Sequence, residues 1–304
     1  MALIVDSDAG TDPDDTCVAI LVGRHRALFG ATLLVSNDET STFAKGRFLQ
    51  HVMNLVAADI PVAAGLPSNK RRDRDNASDA GLAPALDVPH DAVDQIERVL
   101  EAHDAVEYVG LGALTNLAAV LARRPELASR VRLTQMGPAI AGNFGRGHAQ
   151  YNARVDPAAF RAVLRAVPTP TLIATHTTWG TPPSRPPLGV YPDDEIGTML
   201  RGRPDLELYG KHLAAFVASG KGCSILHDPT TLLATREPEL VELVECDVGI
   251  DEQGWLHLTR DARDAIDCPY VTTTSTREDD PIRVRLSLGA DHARIRRRVR
   301  ELLL

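Results

Sequence analysis

The feature that most constrains this fold is a short apolar run that ends in a dense group of acids. Residues 3–5 are typical of a buried strand, and a helical pattern begins at Thr16. Between them, five aspartates fall within ten residues: Asp6, Asp8, Asp12, Asp14 and Asp15. So many carboxylates at one strand end repel one another unless a cation or hydrogen-bond donors neutralise them. The pattern therefore predicts the floor of a metal site.

Strand-like and helix-like segments alternate along the first 175 residues. This alternation predicts a mainly parallel central sheet with helices on both faces, a Rossmann-like α/β fold. We expect one domain covering residues 1–304. The predicted strands are 3–5, 32–35, 60–64, 105–111, 131–136 and 171–174, and the predicted helices are about 14–27, 40–57, 91–102, 116–122 and 157–166.

Composition excludes several classes of partner. The net charge of −8 shows no basic bias toward nucleic acid. No apolar run approaches the ~20 residues that span a bilayer, and no signal peptide is readable, so we expect a cytoplasmic protein without a membrane partner. The cysteines are far apart, which argues against a disulfide framework and a zinc site: Cys17, Cys223, Cys246 and Cys268.

Polar residues follow the predicted strands, where α/β sheets bind their ligands. Carboxylates, amides and a backbone turn that converge there suit a hard cation such as Ca²⁺ or Mg²⁺. The amides around it would suit a polyhydroxylated ligand. The residues that follow the strands include Asn37, Leu111, Asn116, Asn143, Gln150, Asn152, His176, His227 and Asp228.

Purely structural interpretations exist for most of these residues. Asp12-Pro13 is typical of a helix N-cap, with Asp14 and Asp15 favoured by the helix dipole. Asn143 and Asn152 are typical turn residues. Residues 67–89 and 180–194 are longer than usual connections. They are either flaps over a site or plain surface loops, and the plain loop is favoured.

A phosphatase is the nearest rival function. Asp6-Ser7-Asp8 fits the D-x-D strand end of haloacid dehalogenase-like enzymes, which would use Mg²⁺. However, Gly10 stands where those enzymes have Thr or Val. The Gly-rich segment 142–147 fits neither a dinucleotide fingerprint nor a P-loop.

Taken in order, the motifs resemble the nucleoside hydrolase family of the inosine–uridine-preferring type. They are DSDAGTDPDD at 6–15, GALTNLA at 112–118, MGPA at 136–139, QYN at 150–152 before Asp156-Pro157, and His227-Asp228-Pro229. The resemblance implies a hydrolase of N-glycosidic bonds that acts on ribonucleosides in nucleotide salvage. It also implies a homodimer or homotetramer.

The resemblance implies a calcium site and a catalytic base. Asp8, Asp15, Asp228 and the backbone carbonyl of Leu111 would hold Ca²⁺, which would also bind the 2′- and 3′-hydroxyls of ribose and a water. Asp8 would take the proton from that water, which attacks the anomeric carbon. His227 would help to protonate the leaving base.

Further residues would bind the sugar. The resemblance assigns Asp14, Asn37 and Asn152 to the ribose hydroxyls and Asn143 to the 5′ end, and Asp228 would serve both ion and sugar. Gln150 takes the position of a family Glu that contacts the ribose near its 5′ side.

The substrate shell departs from the family pattern. Gln150 replaces the Glu, residues 72–82 lack the family's loop His, and Thr175-His176-Thr177-Thr178 replaces L-D-V-T, while Arg146 and His148 flank the Gly-rich segment. The lost negative charge and the added Arg146 predict tolerance of a 5′-phosphate or another 5′ modification. The same departures are also consistent with an alternative function, a protein that binds the metal and ribose but does not catalyse hydrolysis.

Overall fold

A computed structural model describes residues 1–38, 43–67, 76–142, 147–180, 186–266, 276–277 and 279–304. The strands in this part of the chain are β1 (Ala2–Ser7), β2 (Ala31–Asp38), β3 (Val62–Pro67), β4 (Val106–Gly110), β5 (Val131–Met136), β6 (Thr171–Ile173), β7 (Gly189–Val190), β8 (Ser224–Ile225), β9 (Val241–Ile250), β10 (Leu256–Leu258) and β11 (Ile282–Ala290).

The described strands build one large sheet and one small pair. Nine strands lie in the order β10-β9-β11-β6-β5-β4-β1-β2-β3, and β7 pairs with β8. Strands β1 to β6 run parallel to their neighbours, and β11 is parallel to β6, whereas β9 is antiparallel to both β11 and β10. The predicted mainly parallel sheet is confirmed.

Helices cover both faces of this sheet, as predicted. They are α1 (Pro13–Arg24), α2 (Arg26–Phe29), α3 (Ala44–Leu55), α4 (Asn76–Asp79), α5 (Ala92–Ala102), α6 (Thr115–Arg123), α7 (Tyr151–Val155), α8 (Pro157–Ala166), α9 (Thr175–Trp179), α10 (Glu195–Gly202), α11 (Glu207–Phe216), α12 (His227–Ala234), α13 (Arg260–Ala265) and α14 (His292–Leu303). None of these described helices combines the length and apolar character needed to span a bilayer.

Strand β1 shows why its sequence is continuously apolar. Leu3 and Val5 belong to the core that includes α1, α3 and α12, whereas Ile4 belongs to the core that includes α5, α6 and α8. Successive strand side chains point to opposite faces, so a strand buried on both faces needs apolar residues at every position. Because β1 is an interior strand, between β4 and β2, the acidic segment that follows it lies within the sheet's carboxyl edge.

Candidate active site

The acidic segment turns from β1 into α1 around Gly10 and Asp12. Gly10 has a φ of 101°, a backbone conformation that favours glycine. Asp12 is the N-cap of α1, and its side chain accepts a hydrogen bond from the Asp14 amide at 3.4 Å. The predicted capping role of Asp12 is thereby confirmed, and Ser224 Oγ donates a second hydrogen bond to the same carboxylate.

Three buried carboxylates form the centre of the site. Oxygens of Asp14, Asp15 and Asp228 lie within 4.8 Å of one another. The first two come from the first turn of α1, and Asp228 comes from the first turn of α12. Asp228 donates its backbone N–H to Asp14 Oδ2 at 3.1 Å, and Ser7 Oγ donates to Asp15 Oδ1 at 2.5 Å.

The electrostatics of this cluster favour a bound cation. Burial raises the pKa of Asp14, Asp15 and Asp228 well above the usual range, and repulsion among the neighbouring carboxylates raises it further. A divalent ion removes that repulsion by stabilising the ionised forms. Close-set carboxylate oxygens are the ligands of hard cations, so the described donors fit such an ion.

Asp8 lies beside this group rather than inside it. It borders the same cavity, its side chain is 12% exposed, and its charge contributes to raising the pKa of Asp15. The structure thus brings the predicted ligands Asp15 and Asp228 together with Asp14, which the resemblance assigned to the sugar.

Leu111 and Asn152 are hydrogen-bonded at the carboxyl end of β4, the strand beside β1. The Leu111 carbonyl follows β4 and accepts a hydrogen bond from Asn152 Nδ2 at 2.5 Å. A carbonyl oxygen has two lone pairs, so this bond leaves one for a further ligand. Asn152 is buried and borders the cavity, where the family resemblance places it.

The remaining predicted sugar ligands have different positions. Asn37 is fully buried, and its Nδ2 donates to Ala113 O at 2.5 Å. Gln150 borders the cavity but also caps α7, because its Oε1 accepts from the Ala153 amide at 3.3 Å. Asn143 and Arg146 lie outside the described residues.

His227 occupies the cavity wall. Its Nδ1 lies 2.6 Å from Thr178 Oγ1, and its ring stacks on that of Trp179 with centroids 6.1 Å apart. Burial lowers the pKa of His227 to about 4, so the ring is neutral at pH 7 and carries one proton. The hydrogen bond to Thr178 therefore influences which ring nitrogen of His227 carries that proton.

The cavity above the carboxylates has a volume of about 1210 Å³. Its walls carry Trp179, Tyr151 and Phe216, which give flat apolar faces next to the acidic floor. Asp79 and Pro186, from the two long segments, also border it. The plain-loop interpretation therefore does not hold at Asp79 and Pro186.

The sequence indicated Asp6 as a supporting residue but did not predict its partners beneath the acidic cluster. Asp6 is fully buried and accepts hydrogen bonds from Tyr108 Oη at 2.5 Å and Asn116 Nδ2 at 3.1 Å. Burial raises the pKa of Asp6 to about 7. Sequence reasoning missed Lys45, although a lysine in the first turn of a helix opposes the helix dipole and indicates a nearby anion.

The sequence matches the protein family described as "Inosine-uridine preferring nucleoside hydrolase" over residues 3–295. The chain belongs to this family. Members hydrolyse the N-glycosidic bond of ribonucleosides and depend on a metal ion. The buried acidic cluster of this nucleoside hydrolase is the place that would hold such an ion.

Named relatives cover most of the nucleoside hydrolase chain. The "Pyrimidine-specific ribonucleoside hydrolase RihA" of Klebsiella pneumoniae (strain 342) is 28% identical over 276 residues, which are 84% of this chain and 85% of the relative. The structure of "Plant nucleoside hydrolase - PpNRh1 enzyme" aligns with a TM-score of 0.77 at 20% identity, covering 99% of this chain and 98% of the other. The "Purine-Preferring Ribonucleoside Hydrolase from Gardnerella vaginalis" aligns with a TM-score of 0.74 at 19% identity, covering 99% of both chains. These two structures share the fold.

Proposed function

We propose that this nucleoside hydrolase cleaves ribonucleosides, or derivatives modified at the 5′ position, into free base and ribose or a ribose derivative, and that it uses Ca²⁺. The observation that carries the proposal is the convergence of buried carboxylates and a histidine on one cavity. The proposed ligands of the ion are Asp8, Asp15, Asp228 and the Leu111 carbonyl. When bound, Ca²⁺ would lower the pKa of a water and fix the sugar hydroxyls.

Side chains of the protein would supply the general base, the general acid and the contacts to the sugar. Asp8 accepts the proton of the attacking water, and the neighbouring carboxylates stabilise the positive charge that develops on the sugar in an oxocarbenium-like transition state. On the opposite side of the scissile bond, His227 donates a proton to the leaving base. Asp14 and Asn152 orient the ribose.

The experiment that tests this function follows free base by chromatography. Inosine, uridine, cytidine and their 5′-monophosphates are incubated separately with the purified protein and Ca²⁺. Release of base supports the proposal. Calcium-dependent nucleoside binding without release indicates a binding protein, and Mg²⁺-dependent phosphate release indicates the phosphatase.

Thr178 should control proton donation by His227. Its single hydroxyl proton can go to His227 Nδ1 at 2.6 Å or to Thr175 O at 3.2 Å. Only the first choice keeps the imidazole proton of the neutral ring on Nε2. Thr178→Val should therefore lower kcat for inosine by about 10- to 100-fold.

An activated substrate provides the control for Thr178→Val. p-Nitrophenyl β-ribofuranoside has a leaving group that departs without a proton, so its kcat should change less than about twofold relative to wild type. Equal losses on both substrates would show that Thr178 acts on the fold and not on His227.

A guanidinium group supports the proposal of a 5′-phosphate. Arg154 borders the cavity and lies 4.9 Å from the centroid of the Tyr151 ring. It has no carboxylate partner within the described parts of the chain, and its Nε is buried without a hydrogen-bond acceptor. Arg154 lies in α7, and its backbone N–H donates to the carbonyl of Gln150, the N-cap of that helix, at 3.0 Å. A guanidinium without a described carboxylate partner, in a cavity where Gln150 is neutral, favours an anionic substituent.

Arg154→Met should separate the two substrate classes. We expect kcat/KM for 5′-monophosphates to fall about 10- to 100-fold, with free nucleosides changed less than about twofold. Arg165→Met, at an exposed Arg165–Asp280 pair, is the matched control. A wild-type protein that prefers free nucleosides, with an Arg154 variant that affects both classes equally, would contradict the 5′-phosphate proposal.

A further inference from the structure

Lys45 is a fully buried cation directly behind the acidic site. It belongs to the first turn of α3, and its side chain has no exposed surface. Lysine is almost never fully buried unless it is paired, since desolvating an ammonium group is costly. Its place at a helix N-terminus is unfavourable as well. A neighbouring group must therefore stabilise this charge.

The contacts of Lys45 converge on the loop that joins β1 to α1. Its Nζ donates to the backbone carbonyl of Asp8 at 2.5 Å and to Thr11 Oγ1 at 2.9 Å. The same nitrogen lies 4.0 Å from Asp8 Oδ2. Lys45 is thus bonded to the loop backbone and placed at ion-pair distance from a cavity carboxylate.

The charges of the site explain what such a cation does. Four buried carboxylates border the cavity: Asp8, Asp14, Asp15 and Asp228. A divalent ion supplies two positive charges, which leaves an excess of negative charge even when the ion is bound. The Lys45 ammonium reduces that excess in both states. The ammonium would also repel a divalent cation bound by these carboxylates, because the two charges have the same sign.

We propose that Lys45 is a positioning residue and a built-in counter-charge: it keeps the acidic loop folded without a divalent ion and weakens binding of that ion. The part concerning the ion rests on the proposed function. The part concerning the ion-free protein rests on the contacts of Lys45 with Asp8 and Thr11, which do not involve an ion. The two parts can therefore fail separately.

The first test is a double-mutant cycle of Lys45→Met and Asp8→Asn with a chelator present. Lys45→Met should lower Tm by about 5 °C or more in the wild-type background and by less than half as much in the Asp8→Asn background. Lys45→Gln is a second variant for the case that the Met protein does not fold, because glutamine is neutral but keeps a hydrogen-bond donor. It should show the same dependence on Asp8. Equal Tm losses in the wild-type and Asp8→Asn backgrounds would overturn the proposal that Lys45 is a counter-charge to Asp8.

The second test measures the ion directly by isothermal titration with CaCl₂ at low salt. The Lys45→Gln and Lys45→Met proteins should bind Ca²⁺ about tenfold more tightly than wild type, and Ca²⁺ should raise their Tm more. Lys211→Met is the control, since Lys211 is an exposed partner of Glu207 and should leave both quantities unchanged.

Two results separate the inference from the proposed function. If the Lys45 variants bind Ca²⁺ with the affinity of wild type and lose the same Tm with and without Ca²⁺, the proposed effect of Lys45 on ion binding is overturned. A wild-type protein that neither binds nor is stabilised by Ca²⁺ would contradict the proposed calcium site, and the cycle measured in chelator would then decide the role of Lys45.

Discussion

Asp8→Asn should lower kcat for ribonucleosides by roughly 1,000-fold while KM changes little. The amide cannot accept the proton of the attacking water, although its size and the Lys45 contact to the Asp8 backbone carbonyl are preserved. The substitution also removes one negative charge next to Asp15. The measurement is steady-state release of base, with circular dichroism to verify folding.

Asp79→Asn is the matched control for the Asp8 variant. Asp79 borders the same cavity from α4, but its side chain is exposed at the mouth. Activity within about twofold of wild type is expected, because a screened surface charge has little effect on chemistry at the floor. An Asp8→Asn protein that kept about a tenth of wild-type kcat would contradict the assignment of Asp8 as the base.

The metal-free protein should lose stability as pH rises from 5 to 7.5. Burial raises the pKa of Asp6 from 3.8 to about 7 and that of Asp12 to about 6. Between these values and the unfolded pKa, the folded chain holds protons that the unfolded chain has lost. The free energy of unfolding therefore falls with rising pH in this window. In chelator, we expect Tm to fall by about 5 °C or more.

If the proposed calcium site is present, Ca²⁺ should reduce or reverse this fall, since the ion would bind the ionised carboxylates of the folded state. Asp6→Asn should flatten the slope in chelator, whereas Asp261→Asn, at an exposed position, should keep it. A Tm in chelator that stays level or rises over this pH range would show that the buried acids are ionised without a cation.

Local patterns were enough to predict the sheet and the helix cap. The uninterrupted apolar run at Leu3–Val5 indicated a strand buried on both faces, and Asp12-Pro13 indicated the start of α1; both depend on neighbours in sequence. The position of β11 between β9 and β6 depends on long-range pairing, so the mixed C-terminal pattern did not predict it.

The floor of the candidate site was easier to predict than its walls. Asp14, Asp15 and Asp228 lie at strand or helix ends that a parallel sheet gathers together. By contrast, Lys45 reaches Asp8 across 37 positions, and Thr178 reaches His227 across 49. Such pairs arise from packing of separate elements and leave no spacing signal. Asn37 is turned toward Ala113 by the same kind of packing.

Base release from nucleosides with and without a chelator is the most direct test of a calcium-dependent hydrolase. Protein stripped with chelator should release no base from inosine, uridine or their 5′-monophosphates above the Asp8→Asn background. Adding back Ca²⁺ in excess should restore release on at least one substrate. Undiminished release from stripped protein, or none after Ca²⁺ is restored, would contradict the proposed function.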